Sequence, residues 1–123
     1  PEVHNPSVPH VRLETTADLP ENADVIDILD SLVATLCSFE TIGAPGVKAS
    51  HTMHRQWVHG AGAAPAFVHL EVALLAGRPP ELLARIADGM DGKLREHFAA
   101  SLESGEAKAT MELRQMDPVL YRK

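Results

Sequence analysis

The sequence predicts a single α+β domain in which two β-α-β units form a four-stranded sheet with both helices on one face. Four short segments alternate polar and apolar residues, two segments between them repeat apolar residues at the helical spacing, and the order strand, helix, strand occurs twice. A helical crossover joins parallel strands and is nearly always right-handed. The 123 residues, 45% of them hydrophobic, suffice for one domain with its own core.

The first half of the chain supplies strand, helix and strand. The sequence HVRLE, residues 10–14, has the period of two that is typical of a half-buried strand. From Asn22, the expected N-cap, apolar residues recur at the helical spacing as far as Cys37. Residues 42–46, IGAPG, have the composition of a turn, and the second strand is expected over residues 47–58.

The second half repeats this order. Residues 66–75, AFVHLEVALL, alternate clearly and predict a strand. The Pro79-Pro80 pair opens the second helix, because proline is tolerated in the first helical turn, and apolar residues continue at about every fourth position to Leu102. Residues 107–116 form the last predicted strand. The predicted order is therefore β-α-β-β-α-β.

The chain leaves one face of the predicted sheet bare. Residues 1–8, PEVHNPSV, show no periodicity and are interpreted as an N-terminal extension, and residues 9–123 as the single domain. Side chains on the bare face must meet another surface, and symmetric association of identical chains is the usual solution. We expect this face to carry Phe67, His69, Trp57 and Met53.

Composition excludes several classes of function. The formal net charge is −6 and no Lys/Arg block is present, which argues against nucleic acid as a partner. No apolar run approaches the roughly 20 residues of a membrane helix. Cys37 is the only cysteine, so no intrachain disulfide can form, and no signal peptide is visible. We expect a cytoplasmic enzyme or binding protein, in which an anionic ligand needs a local cationic pocket.

A metal site is not expected. The histidines at positions 51, 54 and 59 suggest ligands by their spacing. On a strand, however, His51 and His54 face opposite sides, and no second cluster completes a zinc site. No metal is therefore predicted, and because the sequence has no Gly-rich phosphate loop, no cofactor is predicted either.

Four segments carry a resemblance to a known family: PHVRLE, AFVHLEVALLAGR, REHFAASLES and ATMELRQMDPVLYRK. Together they resemble the 5-carboxymethyl-2-hydroxymuconate isomerases of the tautomerase superfamily. The similarity covers residues 9–123, is strong in the second half and is weak over residues 15–38. It implies a homotrimer of tautomerase-like subunits and a cofactor-independent enol-to-ketone isomerisation in bacterial homoprotocatechuate breakdown. In that family an amino-terminal proline is the base.

The resemblance assigns roles to three residues. The catalytic proline falls on Pro9, and the arginine of the family's GAGR turn falls on Arg78. The family's arginine after the first helix falls on Lys48, which keeps the charge but loses the two-pronged donor that matches a carboxylate. The implied substrate is a small unsaturated di- or tricarboxylate. Pro9 would carry the proton, and Lys48 and Arg78 would bind the anionic groups.

This mechanism requires that Pro9 carries a free amine. An α-amino group has a pKa of about 7.7–8.0 and can exchange protons near neutrality, whereas an amide nitrogen is not basic. Translation that begins at the Val8 codon, followed by methionine removal, would expose Pro9; otherwise Pro1 is the terminus and folds back. Two alternatives remain. Pro9 simply starts an edge strand, or residues 1–8 block it in a non-catalytic binding or assembly protein.

Overall fold

The computed structural model describes residues 9–122, so the extension predicted for residues 1–8 lies outside the described part. The elements follow the predicted order β-α-β-β-α-β, with a short additional helix before the last strand. Their bounds are β1 His10–Thr16, α1 Val25–Cys37, β2 Lys48–His54, β3 Ala66–Leu75, α2 Pro80–His97, α3 Ala99–Glu103 and β4 Ala107–Met116.

The strands form a mixed sheet in the order β2-β1-β3-β4. As predicted, each β-α-β unit contributes a parallel pair, β1 with β2 and β3 with β4, and β1 runs antiparallel to β3. His10 pairs with Lys48 on one side and with Ala73 on the other. The starts of β1 and β2 and the ends of β3 and β4 consequently lie at the same end of the sheet. We call this the Pro9 end.

The core lies between the sheet and its two long helices. Every second residue of β3 is fully buried, as the alternation predicts, and Val68, Leu70 and Val72 contribute there. Residues at the helical spacing in α1 and α2 cover them, among them Leu32 and Ile86, both 0% exposed. Burying a side chain of this size contributes about 1.5–3 kcal/mol. The prediction of both helices on one face is confirmed.

The prediction of Asn22 as the N-cap of α1 is wrong. Asn22 lies in a 3-10 helix, Pro20–Asp24, that precedes α1. Its side-chain amide donates a hydrogen bond to the carbonyl oxygen of Thr16 at 2.9 Å. Proline fixes its own φ near the helical value and thereby favours an early tight turn. The side chain of Asn22 therefore binds the end of β1 and does not cap α1.

Two further boundaries differ from the prediction. β2 ends at His54 rather than at Val58, because His54 pairs with Thr16, the last residue of β1. The second helix is interrupted at Phe98, whose φ of −108° and ψ of 17° depart from helical values. The Phe98 side chain is 0% exposed. The change of direction at Phe98 accompanies the complete burial of this ring in the core.

The face of the sheet away from the helices, which we call the open face, is more polar than predicted. Glu71 lies between two arginines on this face, with Arg12 at 2.7 Å and Arg114 at 3.6 Å. A hydrogen bond of 2.8 Å joins the Nε2 of His54 and a carboxylate oxygen of Glu14 nearby. Cross-strand pairs of opposite charge stabilise neighbouring strands by a few tenths of a kcal/mol, up to about 1 kcal/mol each. The open face is thus organised by charge as well as by apolar contact.

Of the four side chains predicted for the open face, two lie there. Phe67 and His69 alternate with the buried residues of β3 and face away from the helices. Met53 pairs with the buried Thr15 and therefore faces the helices. Trp57 follows the end of β2, and its indole donates to the carbonyl oxygen of Pro65 at 2.9 Å. Within residues 9–122, no helix combines the length and the apolar character needed to span a membrane.

Candidate active site

Pro9 is held at the start of the sheet by a backbone hydrogen bond. Its carbonyl oxygen accepts from the Lys48 amide at 3.0 Å, which extends the pairing of β1 and β2 by one residue. The residue is buried. The alternative that Pro9 starts an edge strand is wrong, because β1 lies between β2 and β3. Pro9 therefore has a defined place at the Pro9 end of the sheet.

Arg78 is a buried cation in the connection between β3 and α2. The residue is 8% exposed, unlike a solvated surface arginine. Its Nε donates to the hydroxyl of Thr41 at 2.7 Å, and its Nη2 donates to the carbonyl oxygen of Thr41 at 3.2 Å. Its Nη1 donates to the carbonyl oxygen of Leu75 at 3.1 Å. Bonds to all three nitrogens fix the plane of the guanidinium.

The topology brings the three predicted site residues to the Pro9 end. Arg78 follows Leu75, the last residue of β3, and precedes α2 by two positions. Because β3 runs antiparallel to β1, its end lies beside the start of β1, next to Pro9. Lys48 begins β2, the parallel neighbour of β1. A proline and two cations that are far apart in sequence thus share one end of the sheet.

The two cations approach this end from different sides. Lys48 is exposed and pairs with His10 on the open face. Arg78 lies on the helix side, against the turn that follows α1. Positive charge therefore lies on both sides of the sheet at the Pro9 end.

His10 adds an uncharged polar group beside Lys48. Burial of the ring lowers the pKa of His10 below its usual value, and the positive charges of Arg12 and Lys48 lower it further, against an opposing effect of Glu71. Near neutral pH the imidazole is therefore neutral. The positive charge near Pro9 therefore comes from Lys48 and Arg78 and not from the ring of His10.

Thr41 contacts Arg78, although its sequence position gives no sign of this role. Its φ is 72°, in the left-handed region that β-branched residues rarely adopt. Glycine, asparagine and aspartate are the residue types that signal such a position, and none of them stands here. Backbone strain of this kind concentrates at functional sites. Only the fold shows that Thr41 contacts Arg78.

Tyr121 is a second contact at the Pro9 end that the sequence does not predict. Its hydroxyl hydrogen-bonds the Nε2 of His10 at 2.9 Å, and the two rings meet edge to face with centroids 5.8 Å apart. A turn after β4, in which the Tyr121 amide donates to the carbonyl oxygen of Asp117 at 3.0 Å, brings it there. The last described residues thus pack beside the start of β1. A lone tyrosine near the end of a sequence gives no signal of this contact.

Histidines elsewhere in the described chain do not assemble a metal site. His51 faces the helices and hydrogen-bonds the hydroxyl of Thr15 at 2.7 Å, whereas His54 faces away and contacts Glu14. The predicted opposite orientation of His51 and His54 is confirmed. Across residues 9–122, no three His, Cys, Asp or Glu side chains lie together as metal ligands would.

A model of the 5-carboxymethyl-2-hydroxymuconate isomerase family matches residues 9–123, which is nearly the whole chain and begins at Pro9. The chain belongs to this family. The resemblance read from the sequence is thereby confirmed, and family membership supports a tautomerase-type isomerase. No curated protein sequence matches the chain at a comparable level.

Several solved structures have the same fold as this chain. A 5-carboxymethyl-2-hydroxymuconate isomerase from Deinococcus radiodurans R1 is 26% identical, with a TM-score of 0.89 over 98% of this chain and 92% of the other. A 5-carboxymethyl-2-hydroxymuconate delta-isomerase is 14% identical, with a TM-score of 0.84 over 95% and 88%. A fused wild-type 4-OT symmetric trimer is 20% identical, with a TM-score of 0.66 over 88% and 85%. The last two show the fold alone.

Proposed function

We propose that this protein is a cofactor-independent isomerase that converts the enol of 5-carboxymethyl-2-hydroxymuconate, or of a similar unsaturated polycarboxylate, into its keto isomer. The observation that carries the proposal is the position of Pro9 at the same end of the sheet as Lys48 and the buried Arg78. Family membership supports the reaction class. The proposed place of this reaction is homoprotocatechuate degradation in the cytoplasm.

Pro9 acts as the proton carrier. Its secondary amine takes the proton from the enol hydroxyl, the O–H electron pair forms the carbonyl, and the double bonds shift along the conjugated system. The pyrrolidinium then returns the proton to carbon, so no atoms or electrons are gained or lost. Nearby cations disfavour the protonated amine and lower its pKa, which keeps the base available near neutrality. A well-placed acid–base group contributes about 10²–10⁴-fold to the rate.

The cations bind the carboxylates. Arg78 receives one of them, and it stands two residues before α2, where the helix N-terminus adds positive potential. Lys48 holds a second carboxylate or polarises the developing oxo group. Charges that are already in place when the substrate arrives require no reorganisation during the reaction.

The subunit is proposed to work as a homotrimer whose open faces meet. Unpaired sheet faces are commonly covered by identical copies. Symmetric trimers occur among solved structures of this fold, including the fused 4-OT proteins. Sedimentation should then give three times the chain mass of 13.3 kDa. A single-chain mass at micromolar concentration would contradict this part of the proposal.

The second candidate is a non-catalytic binding or assembly protein of the same fold. It is favoured by one observation: eight residues precede Pro9 in this sequence, and they make its nitrogen an amide. The two candidates differ in whether Pro9 is the first residue of the mature protein or follows other residues.

The test compares turnover of 5-carboxymethyl-2-hydroxymuconate by chains that begin at Pro9 and at Pro1, each verified by intact mass. We expect turnover from the Pro9 chain alone. A third chain, in which one alanine precedes Pro9, is the matched control, because it blocks the amine with the smallest extension. Inactivity of the Pro9 chain, when it is folded and binds substrate, would favour the non-catalytic candidate.

A further inference from the structure

We infer that Thr41 is the positioning residue for Arg78, and that it sets how tightly the protein holds a carboxylate at the Pro9 end. The inference rests on the proposed function, in which Arg78 binds a substrate carboxylate. It assigns a role to a residue that has no charge and does not act as the acid or the base. Thr41 acts through Arg78 rather than on the substrate.

The first observation is that one residue supplies two acceptors. The Thr41 hydroxyl accepts from Nε at 2.7 Å and its carbonyl oxygen accepts from Nη2 at 3.2 Å. Nε and Nη2 lie on the same edge of the planar guanidinium. Thr41 therefore occupies that edge and, together with the Leu75 carbonyl oxygen that accepts from Nη1 at 3.1 Å, fixes the direction of the Nη1–Nη2 edge. A carboxylate is received best by two parallel N–H groups, so this orientation decides the fit.

The second observation is the backbone conformation of Thr41. At a φ of 72°, a glycine would be free of steric conflict, whereas a β-branched side chain is disfavoured. In this conformation both the hydroxyl and the carbonyl oxygen reach the same guanidinium. Threonine at this position adopts an unfavourable backbone conformation, and its hydroxyl contacts Arg78.

The turn around Thr41 is anchored independently of Thr41. Glu40 forms an ion pair with Arg85 of α2 at 2.6 Å. The ring of Phe39 packs so close to Gly89 of α2 that a Cβ there would lie 2.8 Å from the ring's Cζ. Because its neighbours hold the turn on α2, a change at Thr41 removes the hydroxyl while the turn stays in place.

The test measures binding of cis,cis-muconate, a dicarboxylate without the 2-hydroxyl group, to the full 1–123 chain by calorimetry. The probe has no enol hydroxyl and cannot tautomerise, so the measurement does not require catalysis by Pro9. Loss of a hydrogen bond to a charged group should weaken binding about tenfold in Thr41→Gly. Thr41→Val, which keeps the shape without the hydroxyl, should weaken it similarly, and Thr41→Ser should bind within about twofold of the wild type.

Two comparisons separate positioning from general damage. Glu40→Gln breaks a neighbouring contact of the same turn and should bind like the wild type. Thr41→Gly relieves the unfavourable φ, which offsets part of the lost hydrogen bond, so its thermal midpoint should fall less than that of Thr41→Val although the two lose affinity alike. A parallel loss of affinity and of thermal midpoint in Thr41→Gly and Thr41→Val would indicate a merely structural role and overturn the inference.

The outcomes also separate this inference from the proposed function. If Arg78→Gln abolishes binding while Thr41→Gly and Thr41→Val bind like the wild type, the role of Thr41 is overturned and the role of Arg78 stands. If neither the 1–123 chain nor the chain that begins at Pro9 binds muconate, or if Arg78→Gln binds it equally well, Arg78 is not the anion site. Both proposals then fall together.

Discussion

Arg78 and Thr41 are joined by two hydrogen bonds, from Nε to the hydroxyl at 2.7 Å and from Nη2 to the carbonyl oxygen at 3.2 Å. They tie the connection after β3 to the turn after α1, and so join the two β-α-β units at the Pro9 end. The guanidinium is thereby oriented before any ligand arrives. Preorganised charge of this kind is the most effective form of electrostatic stabilisation in an active site.

Replacing Arg78 by lysine tests whether orientation or charge alone matters. Lysine keeps the charge but cannot bond Thr41 and Leu75 with a planar fork. We expect kcat/KM of the Pro9 chain to fall at least about tenfold and the free energy of unfolding to fall by about 1–3 kcal/mol. Steady-state kinetics and urea unfolding measure the two effects. A lysine variant with unchanged kinetics would show that the fork is dispensable.

Replacing Lys48 by arginine introduces the residue type that the family resemblance implies at this position. Lys48 is exposed, so the change should leave stability within about 0.5 kcal/mol of the wild type. Arginine offers two parallel donors to a carboxylate, and we expect a lower KM for 5-carboxymethyl-2-hydroxymuconate. Lys48→Ala should raise the KM. If neither substitution changes the kinetics, Lys48 takes no part in binding.

The two glycines of α2 should respond in opposite ways to alanine. Helix propensity alone treats them alike, at about 1 kcal/mol gained for each. A Cβ at Gly92 meets nothing within 4 Å, so Gly92→Ala should stabilise the protein by up to about that amount. A Cβ at Gly89 would lie 2.8 Å from the ring of Phe39, which must then move. Urea midpoints should rise for Gly92→Ala and stay equal or fall for Gly89→Ala; equal rises would contradict the close packing.

The protonation of His51 follows from its hydrogen-bond network. The Asn22 amide nitrogen donates to the carbonyl oxygen of Thr16, so its Oδ1 faces the Thr15 hydroxyl, which donates to it at 2.5 Å. That hydroxyl can then only accept from His51, at 2.7 Å. The Nε2 of His51 therefore carries the hydrogen.

Stability should fall with acidification because of His51. Burial lowers the pKa of His51 below the ordinary 6.5, so between its folded pKa and 6.5 the unfolded chain binds more protons than the folded one. The free energy of unfolding therefore rises with pH across that window. The contribution of His51 is lost as the pH falls through the same window. Urea unfolding between pH 5 and pH 7.5 measures the slope. His51→Gln should reduce the slope and leave the part that comes from His10, whose pKa is also lowered, and an unchanged slope would contradict this assignment.

The sheet and both long helices could be predicted from the sequence because each buries one face. The alternation around Val68, Leu70 and Val72 and the helical spacing around Leu32 are direct consequences of that burial. Helix ends were less predictable. Asn22 has two possible partners, the helix amides and the end of β1, and only the tertiary structure selects the second.

The contacts that complete the candidate site could not be predicted from residue type. Threonine does not signal a positive φ, and the partner of Thr41 lies in the other half of the chain. The contact between His10 and Tyr121 joins opposite ends of the described chain. Such contacts depend on how the two halves pair, which periodicity does not encode. Pro9, Lys48 and Arg78 came from family resemblance, and the topology shows why they lie together.

The most direct test of the account is the titration of the Pro9 nitrogen. A chain that begins at Pro9 and carries ¹⁵N-proline should show one titrating proline nitrogen, because every other proline nitrogen is an amide. We expect its pKa to lie below the reference of about 7.7–8.0 and to coincide with the acid limb of kcat/KM against pH. An acid limb that does not follow this nitrogen, or full turnover by a chain in which Pro9 is verified as an amide, would contradict the account.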